Sequence, residues 1–267
     1  MTQVDAAAKA PTFDAAHLAD VDRSLFPLVE TLLTQYGVNK GLRVFGKEGD
    51  DAVHAEMQQL HDFKVMQPTP PKTLNRRQRS NALQYLMFLK KKRDGRIKGR
   101  GCADGRGQRA NAIKGEASSP TISTEAVFLV LTIAAKEVRD VMVMDIPGAF
   151  LQTELKDECV HVRFTGRMAE LLVMIDPKLY RPHIITEKSK PVLYAELKRA
   201  LYGMLQSALR FWEQVLEDLT KLGFEVNPYD WCVANRVING SQQTVGWHVD
   251  DFLVTHRDPS VNEELAA

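Results

Sequence analysis

Two apolar runs in this chain end on carboxylates. Val141-Met-Val-Met144 runs into Asp145, and Val245-Gly-Trp-His-Val249 runs into the pair Asp250-Asp251 before Phe252-Leu-Val254 resumes the extended pattern. A charged group at the end of a buried strand is costly unless it is paired, solvated or bound to a cation. The fold must therefore bring both ends to a place where the charge is met. If the two runs are neighbouring strands, three carboxylates share one corner, a donor set suited to two Mg2+ ions in phosphoryl transfer. Each taken alone has a plainer reading. Asp250-Asp251 would also serve as a hairpin turn, and Asp145 as the cap of a helix following Pro147.

Periodicity places these runs in an α+β chain. Residues 1–20 read as a loose Ala/Asp-rich leader, and Val21–Tyr36 as a helix carrying Leu25, Leu28, Val29, Leu32 and Leu33. A second helix is predicted from Asp50 to about Phe63, with Val53, Met57 and Leu60 on one face, and the breaker Gln67–Pro71 follows it. Arg76–Met87 reads as helix, Phe88–Lys92 as a short strand, and the glycine-rich stretch Lys98–Gly115 as a loop or irregular hairpin. Ser123 or Thr124 caps a helix running to about Lys136, and Asp140–Met144 is a short buried strand. Later, Leu193–Glu196 reads as strand and Ser207–Leu222 as an amphipathic helix. Strands Trp231–Val237 and Thr244–Val249 flank the turn Asn239-Gly240, so an antiparallel sheet is expected in the second half.

Charge is distributed unevenly. Lys72–Lys114 holds 14 Lys and Arg against Asp94 and Asp104, although the whole chain of 267 residues nets only +1. A basic block of that density fits a polyanion such as nucleic acid, or a solvated basic loop. The three cysteines, Cys102, Cys159 and Cys232, are far apart and form no CxxC pair, which excludes a disulfide scaffold and any evident zinc site. The longest apolar stretch, Ala126–Ala135, is ten residues, whereas a membrane span needs about 20. No signal-peptide pattern opens the chain, so an intracellular protein with no membrane partner is expected.

Six motifs in order then resemble the reverse transcriptases of copia-type LTR retrotransposons. Asp94–Gly105 (DGRIKGRGCADG) is similar to a fingers motif of the form dGxxxxKARLVAKG, and Ala117–Thr124 (ASSPTIST) to the FSPV segment after it. Met144–Leu155 (MDIPGAFLQTEL) resembles DVKNAFLNGDL, and Glu196–Trp212 resembles KLKKALYGLKQSPRAW. Gly223–Ala234 resembles GFKxSxxDxxLF, and Trp247–Val254 (WHVDDFLV) the YVDD hairpin. The sequence departs from the pattern at His248 in place of Tyr, at Asp104 in place of the second Lys, and at Ala208 in place of Pro.

The resemblance implies the fingers and palm of a right-hand polymerase, α+β, with a small antiparallel palm sheet flanked by helices. It divides the chain into a leader with its helix (1–40), a fingers region with the basic block (41–125), a palm segment with the first catalytic motif (126–159), a return to the fingers (160–192) and a second palm segment with the VDD hairpin (193–267). Thumb and RNase H are expected to be absent. The implied activity is RNA-directed DNA polymerisation, a nucleotidyl transfer from dNTPs to a primer 3′-hydroxyl. Asp145, Asp250 and Asp251 are the implied catalytic and metal-holding residues for two Mg2+ ions, with Mn2+ as the implied substitute. Lys98 and Arg100 would hold the triphosphate. Phe150 would exclude a ribose 2′-hydroxyl or simply pack in the core, and Tyr202-Gly203 would lie under the nucleotide. The implied partners are an RNA or DNA template with its primer, dNTP, and other parts of a retrotransposon polyprotein, in a cytoplasmic virus-like particle or the nucleus. The alternative is a catalytically inactive nucleic-acid-binding remnant.

Overall fold

A computed structural model of the chain describes residues 35–109, 118–155 and 159–266. The leader helix expected over Val21–Tyr36 lies outside them, except that Tyr36 opens a strand.

Two sheets organise the described residues. The first contains β1 (Tyr36–Gly37), β2 (Met66–Pro68), β3 (Leu83–Lys91), β4 (Ile97–Ala103), β6 (His161–Thr165), β7 (Ile185–Glu187) and β8 (Lys190–Leu197). Its order is β1-β3-β6-β8-β2, with β4 on the other edge of β3 and β7 beside β8; β3 and β6 run parallel. The second sheet is antiparallel throughout, in the order β5-β12-β11-β10-β9. Its strands are β5 (Asp140–Asp145), β9 (Glu225–Val226), β10 (Val233–Ile238), β11 (Ser241–His248) and β12 (Asp251–His256). The chain is α+β, as the sequence predicts, with its antiparallel sheet in the second half.

Helix α1 (Val38–Asp62) covers the first sheet through Val53, Met57 and Leu60, which are fully or almost fully buried. It starts twelve residues earlier than the sequence suggests and is kinked at Gly46, where φ is +53°. Helix α2 (Arg76–Asn81) starts at a reciprocal cap between Asn75 and Gln78 and ends where Ala82 turns extended. The helix expected over Arg76–Met87 is therefore half wrong. From Leu83 onward the chain buries every second residue, Leu83, Tyr85, Met87 and Leu89, which is the period of a strand.

The glycines of the Lys98–Gly115 stretch do not make it a loop. Through Ala103 it is strand, paired residue for residue with β3. A Cβ on Gly99 would come 2.7 Å from the Ala52 carbonyl oxygen, and one on Gly101 would overlap the Tyr85 hydroxyl. Glycine is what lets this strand lie against α1. The Tyr85 hydroxyl is buried and, among the described residues, has no hydrogen-bond partner. Leaving a buried donor unpaired costs about 1–3 kcal/mol. Tyr85→Phe is accordingly expected to match or exceed the parent in thermal unfolding, and a drop in the midpoint would show that the hydroxyl is paired.

The second core lies on one face of the antiparallel sheet. Helix α6 (Ser207–Lys221) presents Phe211, Val215 and Leu219 at fourfold spacing to Trp247, Phe252 and Val254. The helices between include α3 (Thr124–Glu137), α4 (Ala149–Gln152) and α5 (Arg167–Ile175), and α7 (Pro259–Ala266) follows β12. Ser123 caps α3 by accepting the Ala126 N–H, as its position predicts. The expected buried strand at Asp140–Met144 is corrected in one respect. Met142 and Met144 pack on the α6 side, whereas Val143 is 74% exposed on the opposite face. Asp145 shares a face with Val141 and Val143 by strand alternation, and all three are exposed at this edge of the sheet.

Candidate active site

Strand pairing assembles the carboxylates. β5 and β12 run antiparallel with Asp145 directly opposite Asp251, and the same register carries Met144–Phe252 to Asp140–His256. The partner hairpin closes by pairing His248 with Asp251, which leaves Val249-Asp250 as its two-residue tip. Below that tip the Ile146 N–H donates to the Asp250 carbonyl at 3.2 Å and ties β5 to the hairpin. Asp145 and Asp251 are exposed and Asp250 is half-buried.

The tip is strained. Val249 has φ +58°, a left-handed conformation that a β-branched residue rarely adopts. Such positions cost about 1–3 kcal/mol and persist where the surroundings impose them. Val249→Gly is expected to raise stability by roughly 1 kcal/mol in denaturant unfolding; an unchanged or lower stability would mean the valine side chain repays its backbone.

Arg100 and Lys98 stand two residues apart on β4, both exposed and on one side of the strand. The Arg100 guanidinium lies 6.0 Å from the centre of the Tyr202 ring, and Phe150 packs against the same ring at 4.6 Å. Phe150 is itself nearly buried between Tyr202 and Phe211. It is held there by α4, whose N-cap Gly148 takes φ +64°. The turn that carries Tyr202 abuts β4: the Ala103 N–H donates to the Tyr202 carbonyl at 2.7 Å, and Gly203 follows with φ +87°. Burial pushes the Tyr202 hydroxyl pKa up, and the charge of Asp250 pushes the same way; Arg100 opposes, and Glu56 and Asp145 add to the rise. The charges of the basic strand and of the carboxylate corner are thus both felt at one phenol.

The structure thus brings Arg100, Phe150, Tyr202, Gly203, Asp145 and Asp250 around one site, with Asp251 opposite Asp145 and Lys98 farther out on the same strand. Among the described residues no three His, Cys, Asp or Glu side chains converge as a ready metal-ligating cluster. The three aspartates share a corner without closing on a common point. Their chemistry nevertheless suits Mg2+, which takes hard oxygen ligands and is commonly held by one or two carboxylates together with substrate phosphates.

Sequence reasoning missed Glu56. Its carboxylate accepts the Gly101 N–H at 2.8 Å. Burial raises the Glu56 pKa, while that N–H and the charges of Lys98 and Arg100 pull it back. A signal was present: Glu56 falls at i+3 from Val53 and i−4 from Leu60, a lone acid beside the buried face of α1.

Residues 72–266 match the family described as reverse transcriptase (RNA-dependent DNA polymerase). The chain is 27% identical over 166 residues to the retrovirus-related Pol polyprotein from transposon RE1 of Arabidopsis thaliana, which covers 62% of this chain and 10% of that polyprotein. It is 23% identical over 244 residues to the transposon Ty1-LR2 Gag-Pol polyprotein of Saccharomyces cerevisiae, covering 91% of this chain and 12% of that one. The chain therefore spans about a tenth of the length of these relatives. Among the described residues no helix is long and apolar enough to cross a membrane. Matched over most of its length, the chain belongs to the reverse transcriptase family, and its relatives are Gag-Pol polyproteins of the Ty1/copia type.

Proposed function

We propose that this chain carries the fingers and palm of an RNA-directed DNA polymerase, with the first sheet and its basic β3–β4 hairpin as fingers and the antiparallel sheet as palm. Because β8 pairs within the first sheet, the second palm segment begins after Leu197 in this reading. The observation that carries it is the register that sets Asp145 opposite Asp251 at an exposed strand end, together with Arg100 lying against the Tyr202 ring.

Asp145, Asp250 and Asp251 would hold two Mg2+ ions. When bound, these would lower the pKa of the primer hydroxyl and offset the charge of the leaving pyrophosphate. The protein's own residues supply position. Arg100 offers paired N–H donors that match a phosphate, and Lys98 adds a mobile point charge. Tyr202, wedged on Phe150, makes a firm floor between the phosphate-holding strand and the carboxylates. Phe150 reaches a bound ribose only past Tyr202, so any selection against a 2′-hydroxyl acts through the placement of that floor. The exposed face around Val143 leaves the approach to Asp145 open, as a polymeric substrate requires.

Primer extension tests the proposal, with poly(rA)/oligo(dT), dTTP, and Mg2+ or Mn2+. Incorporation is expected. Salt-dependent binding of the primed template with no incorporation would instead establish the second reading, a nucleic-acid-binding remnant. The 14 basic residues of Lys72–Lys114 and the replacement of the hairpin tyrosine by His248 favour that reading.

A further inference from the structure

β4 is an edge strand, since among the described residues it pairs only with β3. Its outward N–H groups therefore need partners from elsewhere. Two successive ones are satisfied by different parts of the molecule. Gly101 donates to the Glu56 carboxylate of α1, and Ala103 donates to the carbonyl of Tyr202. Arg100 and Cys102 sit on the strand beside these two anchors. The strand is packed tightly on both sides of the Gly101 bond: a Cβ on Gly99 would meet the Ala52 carbonyl of α1, and one on Gly101 the Tyr85 ring of β3.

We propose that Glu56 is a positioning residue for nucleotide binding: by accepting the Gly101 N–H on the free edge of β4, it fixes the point from which Arg100 reaches the phosphates. The inference rests on the polymerase reading above and adds a residue that touches no substrate. A main-chain partner could have been supplied by any acceptor, so what matters is that the acceptor is fixed to α1. Alanine at this position leaves an edge N–H unpaired next to Arg100 and frees the strand to shift. Glutamine keeps an acceptor oxygen in the same place and removes only the charge.

The test is calorimetric titration of the full chain with dTTP and Mg2+, so that it does not depend on turnover. Glu56→Ala is expected to weaken dTTP binding roughly tenfold, the size of one charge-assisted hydrogen bond. Glu56→Gln should stay within about twofold of the parent, and Arg100→Ala should lose at least as much as Glu56→Ala. Affinity for the primed template should be unaltered in both Glu56 variants, which a general loss of structure would not allow. If Arg100→Ala loses dTTP while Glu56→Ala does not, the positioning role is overturned and the polymerase reading stands. If the parent binds no dTTP, both fall. Should Glu56→Ala fail to fold, Glu56→Gln decides alone: a tenfold loss in that folded variant contradicts an anchor that works by hydrogen bonding.

Discussion

Replacing Asp145 or Asp250 by Asn is expected to cut nucleotide incorporation by about a hundredfold to a thousandfold, the effect of removing one preorganised electrostatic group. Folding should be almost untouched. The register that aligns β5 with β12 is carried by the main chain, and Asn can occupy an exposed strand end or a hairpin tip. Removing one of three like charges from a shared corner relieves repulsion rather than creating it. The unfolding midpoint should therefore stay level or rise slightly while activity collapses. A proportionate loss of both would show that these carboxylates hold the sheet together and would remove them from the chemistry. Asp251→Asn belongs in the same series, because its pairing with Asp145 places it at the corner.

The second large effect is structural. Gly203→Ala is expected to destabilise the protein by roughly 2–4 kcal/mol, combining a strained backbone with a steric clash. Gly203 has φ +87°, and a Cβ there would drive into the Ala103 carbonyl oxygen. The opposite side of the contact is equally tight, since a Cβ on Gly105 would meet the carbonyl oxygen of Gly203. The alanine variant must push the Tyr202 turn off β4, losing the bond from the Ala103 N–H to the Tyr202 carbonyl. For a protein of this size the midpoint should fall by about 5–15 °C. Incorporation and dTTP binding should suffer beyond what the lost stability explains, because Tyr202 and Arg100 separate. A variant as stable as the parent would mean that the turn is free to move.

The aspartates could be read from the chain because strand-end carboxylates after apolar runs are a local pattern, and their order with the other motifs carried the family. The partner strands could be expected but not their register, which depends on the Val249-Asp250 tip and on residues far away in sequence. The helix expected over Arg76–Met87 failed for a physical reason. Asn75 does cap a helix at Arg76, yet burial of Tyr85 and Met87 against α1 imposes a period of two from Leu83 onward. The glycines after Lys98 looked like loop because glycine in a strand is usually a weakness; here close approach of α1 and Tyr85 demands it. Trp231, expected to open a strand, stands before it instead: the strand starts at Val233, and Trp231 is 60% exposed and stacks on Trp212. Glu56 is harder to read: its place beside the buried face of α1 shows an acid near the core, but not the main-chain N–H of Gly101 that it accepts.

Mn2+ binding followed by electron paramagnetic resonance tests most directly whether the corner at Asp145, Asp250 and Asp251 is the catalytic centre. The parent chain with dTTP should bind Mn2+ and lose free-ion signal in a saturable way. A folded Asp145→Asn/Asp250→Asn/Asp251→Asn variant should leave the free-ion signal as it is with dTTP alone. Equal Mn2+ binding by parent and triple variant would contradict the assignment of these carboxylates.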